Sequence, residues 1–194
     1  MATGYHSAAS AEVKEGDTVA VIGDGAVGLC GVIGARLRGA KRIILMSHHE
    51  DRAKLGREFG ATDIVSERGD DAIKKVMELT NGVGVDAVQE CVGAVSAIEQ
   101  AGKIARPGAV IGRVGVPQTE PSSKTLFWKN IGLRGGIANV TTYDKNILLE
   151  AVLDGEINPG KVFTKRFDLD HIQEAYEAMD KREAIKSLVI VADK

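Results

Sequence analysis

The chain has 194 residues, with 25 basic and 27 acidic side chains and a formal charge of -2: enough for one ordinary domain, or one domain with a small appendage, and no general electrostatic reason to expect a nucleic-acid partner. Glycine is in excess at 23 residues while proline numbers 4, and without a three-residue period this excludes collagen and Pro/Gly low-complexity chains. Two isolated cysteines, Cys30 and Cys91, both in apolar contexts that read as buried, argue against a disulfide framework or a thiolate zinc site, and neither a membrane-length apolar run nor a signal-peptide pattern is present, so the expected setting is the cytoplasm.

Short β-branched runs recur along the first two thirds of the chain. They are Thr18–Ile22, Arg42–Met46, Asp63–Ser66, Val85–Glu90, Ala109–Arg113 and Ile131–Gly135. Between them lie stretches with helical periodicity: an apolar helix over Ala26–Arg38, Leu55 and Phe59 four apart behind Glu50-Asp51, Ile73, Val76, Met77 and Thr80 after an Asp70-Asp71 cap, and Ile98, Ala101, Ile104 and Ala105. Strands alternating with helices at this spacing imply βαβ units and a parallel sheet. Continuous apolar runs such as Val19–Ile22 suit strands covered on both faces. Right-handed crossovers then build a doubly wound, six-stranded α/β sheet.

The last third is less regular. Asp144–Leu153 reads as a helix stopped by Gly155 and Asn158-Pro159-Gly160. Lys161–Phe167 reads as a strand, Asp170–Lys181 as a helix, and Ser187–Ala192 as a closing strand. The expected division is residues 1–160 as a cofactor-binding domain and residues 161–194 as a short C-terminal segment.

Gly23-Asp24-Gly25-Ala26-Val27-Gly28 is G-x-G-x-x-G. The motif alone is weak, but it follows the first strand directly and opens the first apolar helix, where a dinucleotide pyrophosphate would sit. Gly23 permits the tight turn, Gly25 removes a side chain that would block the phosphates, and Gly28 lets helix and strand pack closely. The plainer reading is a glycine-rich turn with no ligand. About 20 residues on, NAD-binding folds place an acid on the ribose 2′-hydroxyl; the residue expected there is Ser47, followed by His48, His49, Glu50, Asp51 and Arg52. A small neutral residue removes repulsion toward a 2′-phosphate, and His48, His49 and Arg52 can donate to it, which favours NADP over NAD. A register slip of three residues makes Glu50 the ribose acid and reverses the preference.

Catalytic devices are not found. Tyr5, Tyr143 and Tyr176 are followed four positions later by Ala9, Ile147 and Asp180, so no Tyr-x-x-x-Lys pair exists. The four histidines, His6, His48, His49 and His171, form no zinc-ligand pattern, and neither a G-x-S-x-G elbow nor a P-loop is present.

Several stretches together resemble the C-terminal portion of zinc-type alcohol dehydrogenases of the medium-chain dehydrogenase/reductase family. They are Thr3-Gly-Tyr-His6, Val13 to Leu29, Gly60-Ala-Thr-Asp63, Thr80 to Asp86, Arg106-Pro-Gly108, Val114-Gly-Val-Pro117 and Ala184-Ile-Lys186. The resemblance implies a Rossmann domain followed by the segment that returns to a catalytic domain. In the family the last catalytic-zinc ligand lies just upstream of the threonine matched by Thr3, so the zinc set is expected before Met1 and the zinc-free chain is expected to oxidise no alcohol by itself. It further implies that Thr3 lies beside the nicotinamide, and that Gly23, Asp24, Gly25, Ala26, Val27 and Gly28 form the pyrophosphate loop. Ser47 stands at the NAD-selecting acid, with His48, His49 and Arg52 near the adenosine ribose. Val92 and Gly93 follow the fourth strand at a ribose. Val114, Gly115 and Val116, then Gly136 and Ala138, are backbone segments at the nicotinamide amide, and Lys186 reaches the pyrophosphate. For Val114–Val116 and Gly136 the plainer reading is strand-end packing, and for Lys186 a solvated lysine. The expected partners are a dinucleotide, an alcohol or aldehyde in the whole enzyme, and a second copy through the edge strand Ile131–Gly135. Competing readings are a non-catalytic nucleotide-sensing module, the cofactor domain of a zinc-free quinone or enoyl reductase, and, more weakly, a methyltransferase.

Overall fold

A computed structural model of the chain describes residues 1–139 and 141–192. The residues form two compact units, Met1–Ile157 and Asn158–Lys194. In the first, helix α1 (Ala2–Ser10) precedes β1 (Thr18–Ile22), α2 (Ala26–Leu37), β2 (Arg42–Met46), α3 (Glu50–Phe59) and β3 (Asp63–Val65). Then come α4 (Gly69–Leu79), β4 (Val85–Glu90), α5 (Val95–Ile104), β5 (Ala105–Arg113), α6 (Ser123–Lys129), β6 (Gly132–Gly135) and α7 (Thr142–Leu153). The six strands make one parallel sheet in the order β3-β2-β1-β4-β5-β6. This is the doubly wound α/β architecture that the strand spacing implies.

The apolar runs are buried because helices cover both faces of the sheet. Ala20 and Ile22 of β1 join Ile44, Met46, Val88 and Ile111 in a core shared with Ala72, Val76, Ala97 and Ala101 of α4 and α5. Val19 and Val21 point the other way and are equally buried. On that side α2 contacts both α1 and α3, while on the other α5 contacts both α4 and α6. Helix α2 is buried continuously from Gly28 to Ala35, as a helix enclosed by neighbours must be. Burying each large side chain of this core stabilises the fold by about 1.5–3 kcal/mol.

Helix α1 is a finding beyond the sequence reading. Its residues show little apolar periodicity, and it is held instead by close approach: a Cβ on Gly4 would lie 2.5 Å from the backbone of Cys30 and Gly31. Ser7 of α1 has one hydroxyl hydrogen but faces two oxygens, Gly4 O at 2.7 Å and Gln89 Oε1 at 2.5 Å. Turning the buried Gln89 amide over lets its nitrogen donate to Ser7 and Ser7 donate to Gly4, and engages an Nε2 otherwise without a partner.

Other boundaries need correction. Ala105, read as helical, begins β5, which runs to Arg113. Asp70 and Asp71 lie inside the first turn of α4 rather than capping it, where carboxylates meet the positive end of the helix dipole. Helix α7 starts at Thr142 because Thr141 and Asp144 form a capping box, with Thr141 Oγ1 accepting from the Asp144 N–H at 3.1 Å. Helix α6 was not expected, and it too has a hydroxyl cap, Ser122 accepting from Thr125 N–H. The edge strand begins at Gly132, one residue later than read.

The second unit holds a short 3-10 turn (Pro159–Val162), β7 (Phe163–Asp168), α8 (Ile172–Asp180) and β8 (Lys186–Ile190), with β7 and β8 pairing in parallel. Both strands are shifted from the expected Lys161–Phe167 and Ser187–Ala192. The closing residues of the chain, 193–194, lie outside the described residues.

At the N-terminal ends of the strands, Arg42 grips Asp63 with two N–H bonds of 2.9 and 2.8 Å. Those bonds hold the Asp63 carboxyl below the usual carboxylate range, against opposing desolvation and with help from the Thr62 hydroxyl. A folded-state pKa below the unfolded value adds stability above the unfolded pKa and loses it as pH falls. Asp63→Asn is therefore expected to lower the urea midpoint most at neutral pH, with the gap to the unsubstituted protein narrowing as pH falls below the ordinary carboxylate range.

Candidate functional site

The direction of sheet winding reverses between β1 and β4, and a crevice opens beyond the C-terminal ends of such a strand pair. The loop from β1 into α2 carries the glycine motif. Gly23 has φ +107°, a conformation open to glycine at little cost, and a Cβ there would strike Val92 Cγ2 at 2.7 Å. A Cβ on Gly28 would lie 1.9 Å from the Gly23 carbonyl oxygen, so helix and turn touch backbone to backbone. Gly25 differs: a Cβ there would meet nothing within 4 Å. Gly25 is also the N-cap of α2, with no side-chain cap bond and no acidic residue in the first turn. The helix thus presents its free N–H groups and positive dipole end to open space, the arrangement that binds anions such as phosphate.

The second wall is built around Glu90, the last residue of β4 and fully buried. Its Oε1 accepts from the N–H groups of Val92 and Gly93 at 2.8 and 2.7 Å. Its carbonyl oxygen accepts from Val114 and Gly115 at 2.9 and 3.1 Å. The Gln118 N–H then donates to Gly93 O at 2.9 Å. One residue thereby fastens the loop after β4 to the loop after β5. The loops also interlock sterically: a Cβ on Gly93 would lie 2.0 Å from Val116 O, and one on Gly115 2.3 Å from Gly93 N. Val92, Gly93, Val114, Gly115 and Val116 are therefore gathered on one wall, with Val92 reaching across to Gly23. Val116 is 85% exposed. Among the described residues Glu90 Oε2 has no hydrogen-bond partner, and Glu90 lines a cavity of about 10 Å³ with Ile98, Ile111, Arg113 and Leu133.

At the end of β2, Ser47 is 1% exposed. Its hydroxyl donates to Asp24 Oδ2 at 2.8 Å. Arg52, in the first turn of α3, donates to Asp24 Oδ1 at 3.2 Å. His48 is exposed, its Nδ1 2.6 Å from the carbonyl oxygen of Ser66. His49 is the N-cap of α3, and Glu50 and Asp51 lie exposed in its first turn. His48, His49, Glu50, Asp51 and Lys54 border an open hollow.

Four further residues were expected from the resemblance. Thr3 is in α1, and Gly136 follows β6 with its N–H on Arg113 O at 2.8 Å. Ala138 is half-buried two residues further on. Lys186 is exposed at the start of β8, in the second unit. Glu90 and the side-chain role of Asp24 were missed by sequence reasoning. An acid closing a strand, three residues before a glycine, was the signal for Glu90; Asp24 offered none beyond its charge.

Cys30 and Cys91 are free thiols, and burial pushes the Cys91 thiol up to about 12, leaving it protonated and inert near neutral pH. Among the described residues no group of three His, Cys, Asp or Glu side chains could hold a metal ion. Nor is any described helix long and apolar enough to cross a membrane.

Residues 26–150 match the family model described as zinc-binding dehydrogenase. The chain is 35% identical to an NADP-dependent isopropanol dehydrogenase of Thermoanaerobacter brockii, over 99% of this chain and 57% of that protein. It is 30% identical to an alcohol dehydrogenase of Cupriavidus necator, over 98% of this chain and 53% of the other. A zinc-dependent alcohol dehydrogenase 2 from Streptococcus pneumonia, solved in its apo form, superimposes with a TM-score of 0.90 at 29% identity, covering 100% of this chain and 58% of that one. The chain thus spans just over half the length of the relatives it matches.

The Glu90 anchor has a direct consequence for stability. Glu90→Leu leaves two loop N–H groups without an acceptor, at about 1–3 kcal/mol each. A clearly lower urea midpoint at unchanged slope is expected, with Glu90→Gln, which keeps one accepting oxygen, losing less.

Proposed function

The chain belongs to the zinc-binding dehydrogenase family, and from that premise we propose that it supplies the dinucleotide side of an alcohol dehydrogenase, with NADP preferred over NAD. The observation that carries this reading is the uncapped N-terminus of α2 behind Gly25, where a Cβ would enter empty space. The backbone N–H groups from Gly25 to Gly28 take the pyrophosphate, and Gly25 allows it close approach. Val114, Gly115 and Val116 offer backbone groups to the nicotinamide amide from the opposite wall, and Val92 and Gly93 pass the ribose. Thr3, Gly136, Ala138 and Lys186 are proposed contacts on the strength of the family resemblance. When bound, the coenzyme accepts or returns a hydride; the chain's residues hold and orient it and shield it from water.

Support for NADP comes from the β2 end. Ser47 brings no charge of its own, and His48, His49 and Arg52 stand within five residues beyond it. The relative from Thermoanaerobacter brockii is named as NADP-dependent. A small alcohol or aldehyde is the proposed substrate of the whole enzyme, and a second copy pairing along β6, the edge of the sheet, its proposed assembly. A cytoplasmic setting belongs to the same reading.

Calorimetric titration of the 194-residue chain is expected to show tighter binding of NADPH than of NADH. Gly25→Val is expected to keep the thermal midpoint within a few degrees, since the side chain has room, while weakening either coenzyme by about tenfold or more through obstruction of the phosphates. Unchanged affinity in that variant removes the glycine loop from the proposal.

A further inference from the structure

We infer that Asp24 sets the balance between the two coenzymes, by holding Ser47 and Arg52 away from a 2′-phosphate; the inference rests on the dinucleotide reading above. An acid at the end of β2 is absent from the sequence, yet a carboxylate is present there in space. It arrives from the glycine loop. Asp24 Oδ2 takes the only hydroxyl hydrogen of Ser47 at 2.8 Å, and Oδ1 takes an N–H of Arg52 at 3.2 Å. The ion pair is well covered, with side-chain exposures of 12% for Arg52 and 15% for Asp24, and Ser47 beneath it is buried.

Each coenzyme meets this arrangement differently. A ribose 2′-hydroxyl can donate to a carboxylate without disturbing its partners' charge. A 2′-phosphate, close to doubly charged at neutral pH, finds the permanent cation already neutralised and an acid beside it. It gains Arg52 only by weakening the bond to Asp24, and like charges brought together cost affinity. His48 and His49 stand outside the triad, His48 with its Nδ1 against the Ser66 carbonyl oxygen. Asp24 therefore lowers affinity for the phosphorylated coenzyme and leaves the other nearly unaffected, so any NADP preference of the unsubstituted protein is modest.

Asp24→Asn keeps an oxygen for Ser47 and removes the negative charge beside Arg52. Measured by calorimetry with NADPH and NADH, the ratio of their affinities is expected to rise about tenfold in favour of NADPH, mostly through NADPH itself. Arg52→Ala alone is expected to weaken NADPH more than NADH. In the double variant the gain from Asp24→Asn is expected to disappear, because the released guanidinium is absent. A ratio that moves less than twofold in Asp24→Asn, or a gain that survives undiminished without Arg52, overturns the inference while the coenzyme reading stands. Failure of the unsubstituted chain to bind either coenzyme overturns the reading beneath it. Asp24→Ser serves the same comparison if the asparagine variant does not fold.

Discussion

Between Gly28 and Gly23 there is room for hydrogen and nothing larger, since a Cβ on Gly28 would lie 1.9 Å from the carbonyl oxygen of Gly23. The same closeness recurs across the crevice, where Gly93 rests on the backbone of Val116. Both contacts put main chain directly on main chain. The binding wall is thereby made of peptide groups in fixed positions, and peptide N–H groups carry no net charge. The proposed dinucleotide would be held there by dipoles at its phosphates, which is compatible with a near-neutral chain of -2. It also explains the glycine excess, which serves close approach as much as turning.

Inter-strand ion pairs and the proposed binding loops lie at opposite ends of the strands. Arg42 with Asp63, and Arg106 with Asp86, lie near the strand starts, where Asp86 also accepts from the N–H of Thr18. These pairs join neighbouring strands and contribute nothing to the crevice. At the strand ends the charges are instead interior or committed. Glu90 spends its carboxylate on the Val92 and Gly93 N–H groups, and Asp24 spends its own on Ser47 and Arg52. Each acid there shapes a loop.

Much of the frame was legible because burial imposes a simple pattern. Thr18–Ile22, Arg42–Met46 and Val85–Glu90 are strands at the residues read from their apolar runs, since strands covered on both faces have no polar alternation to blur their limits. The glycine loop was legible from its place between strand and helix. Helix α1 was not, because Gly4 and Ser7 are buried through close approach and one hydrogen bond, which leave no apolar stripe. Helix α6 exposes Phe127 and Trp128 and so lacked a one-sided apolar face. The Asp24 triad was hidden for a different reason: Asp24 and Ser47 stand 23 residues apart, and only the parallel pairing of β1 with β2 brings their strand ends side by side.

Strand order also governs when this sheet can be completed. Thr18 pairs with Arg42, but Val19 also pairs with Ala87, across three helices and two further strands. During synthesis β1, β2 and β3 emerge first and can pair among themselves. One edge of β1, the backbone N–H and C=O groups of the apolar run Val19 to Ile22, stays open until β4 leaves the ribosome. Parallel partners so distant in sequence are slow to meet, and an apolar open edge invites other chains meanwhile. The nascent protein is thus most vulnerable to aggregation between the appearance of β3 and that of Glu90, whose arrival closes the centre of the sheet.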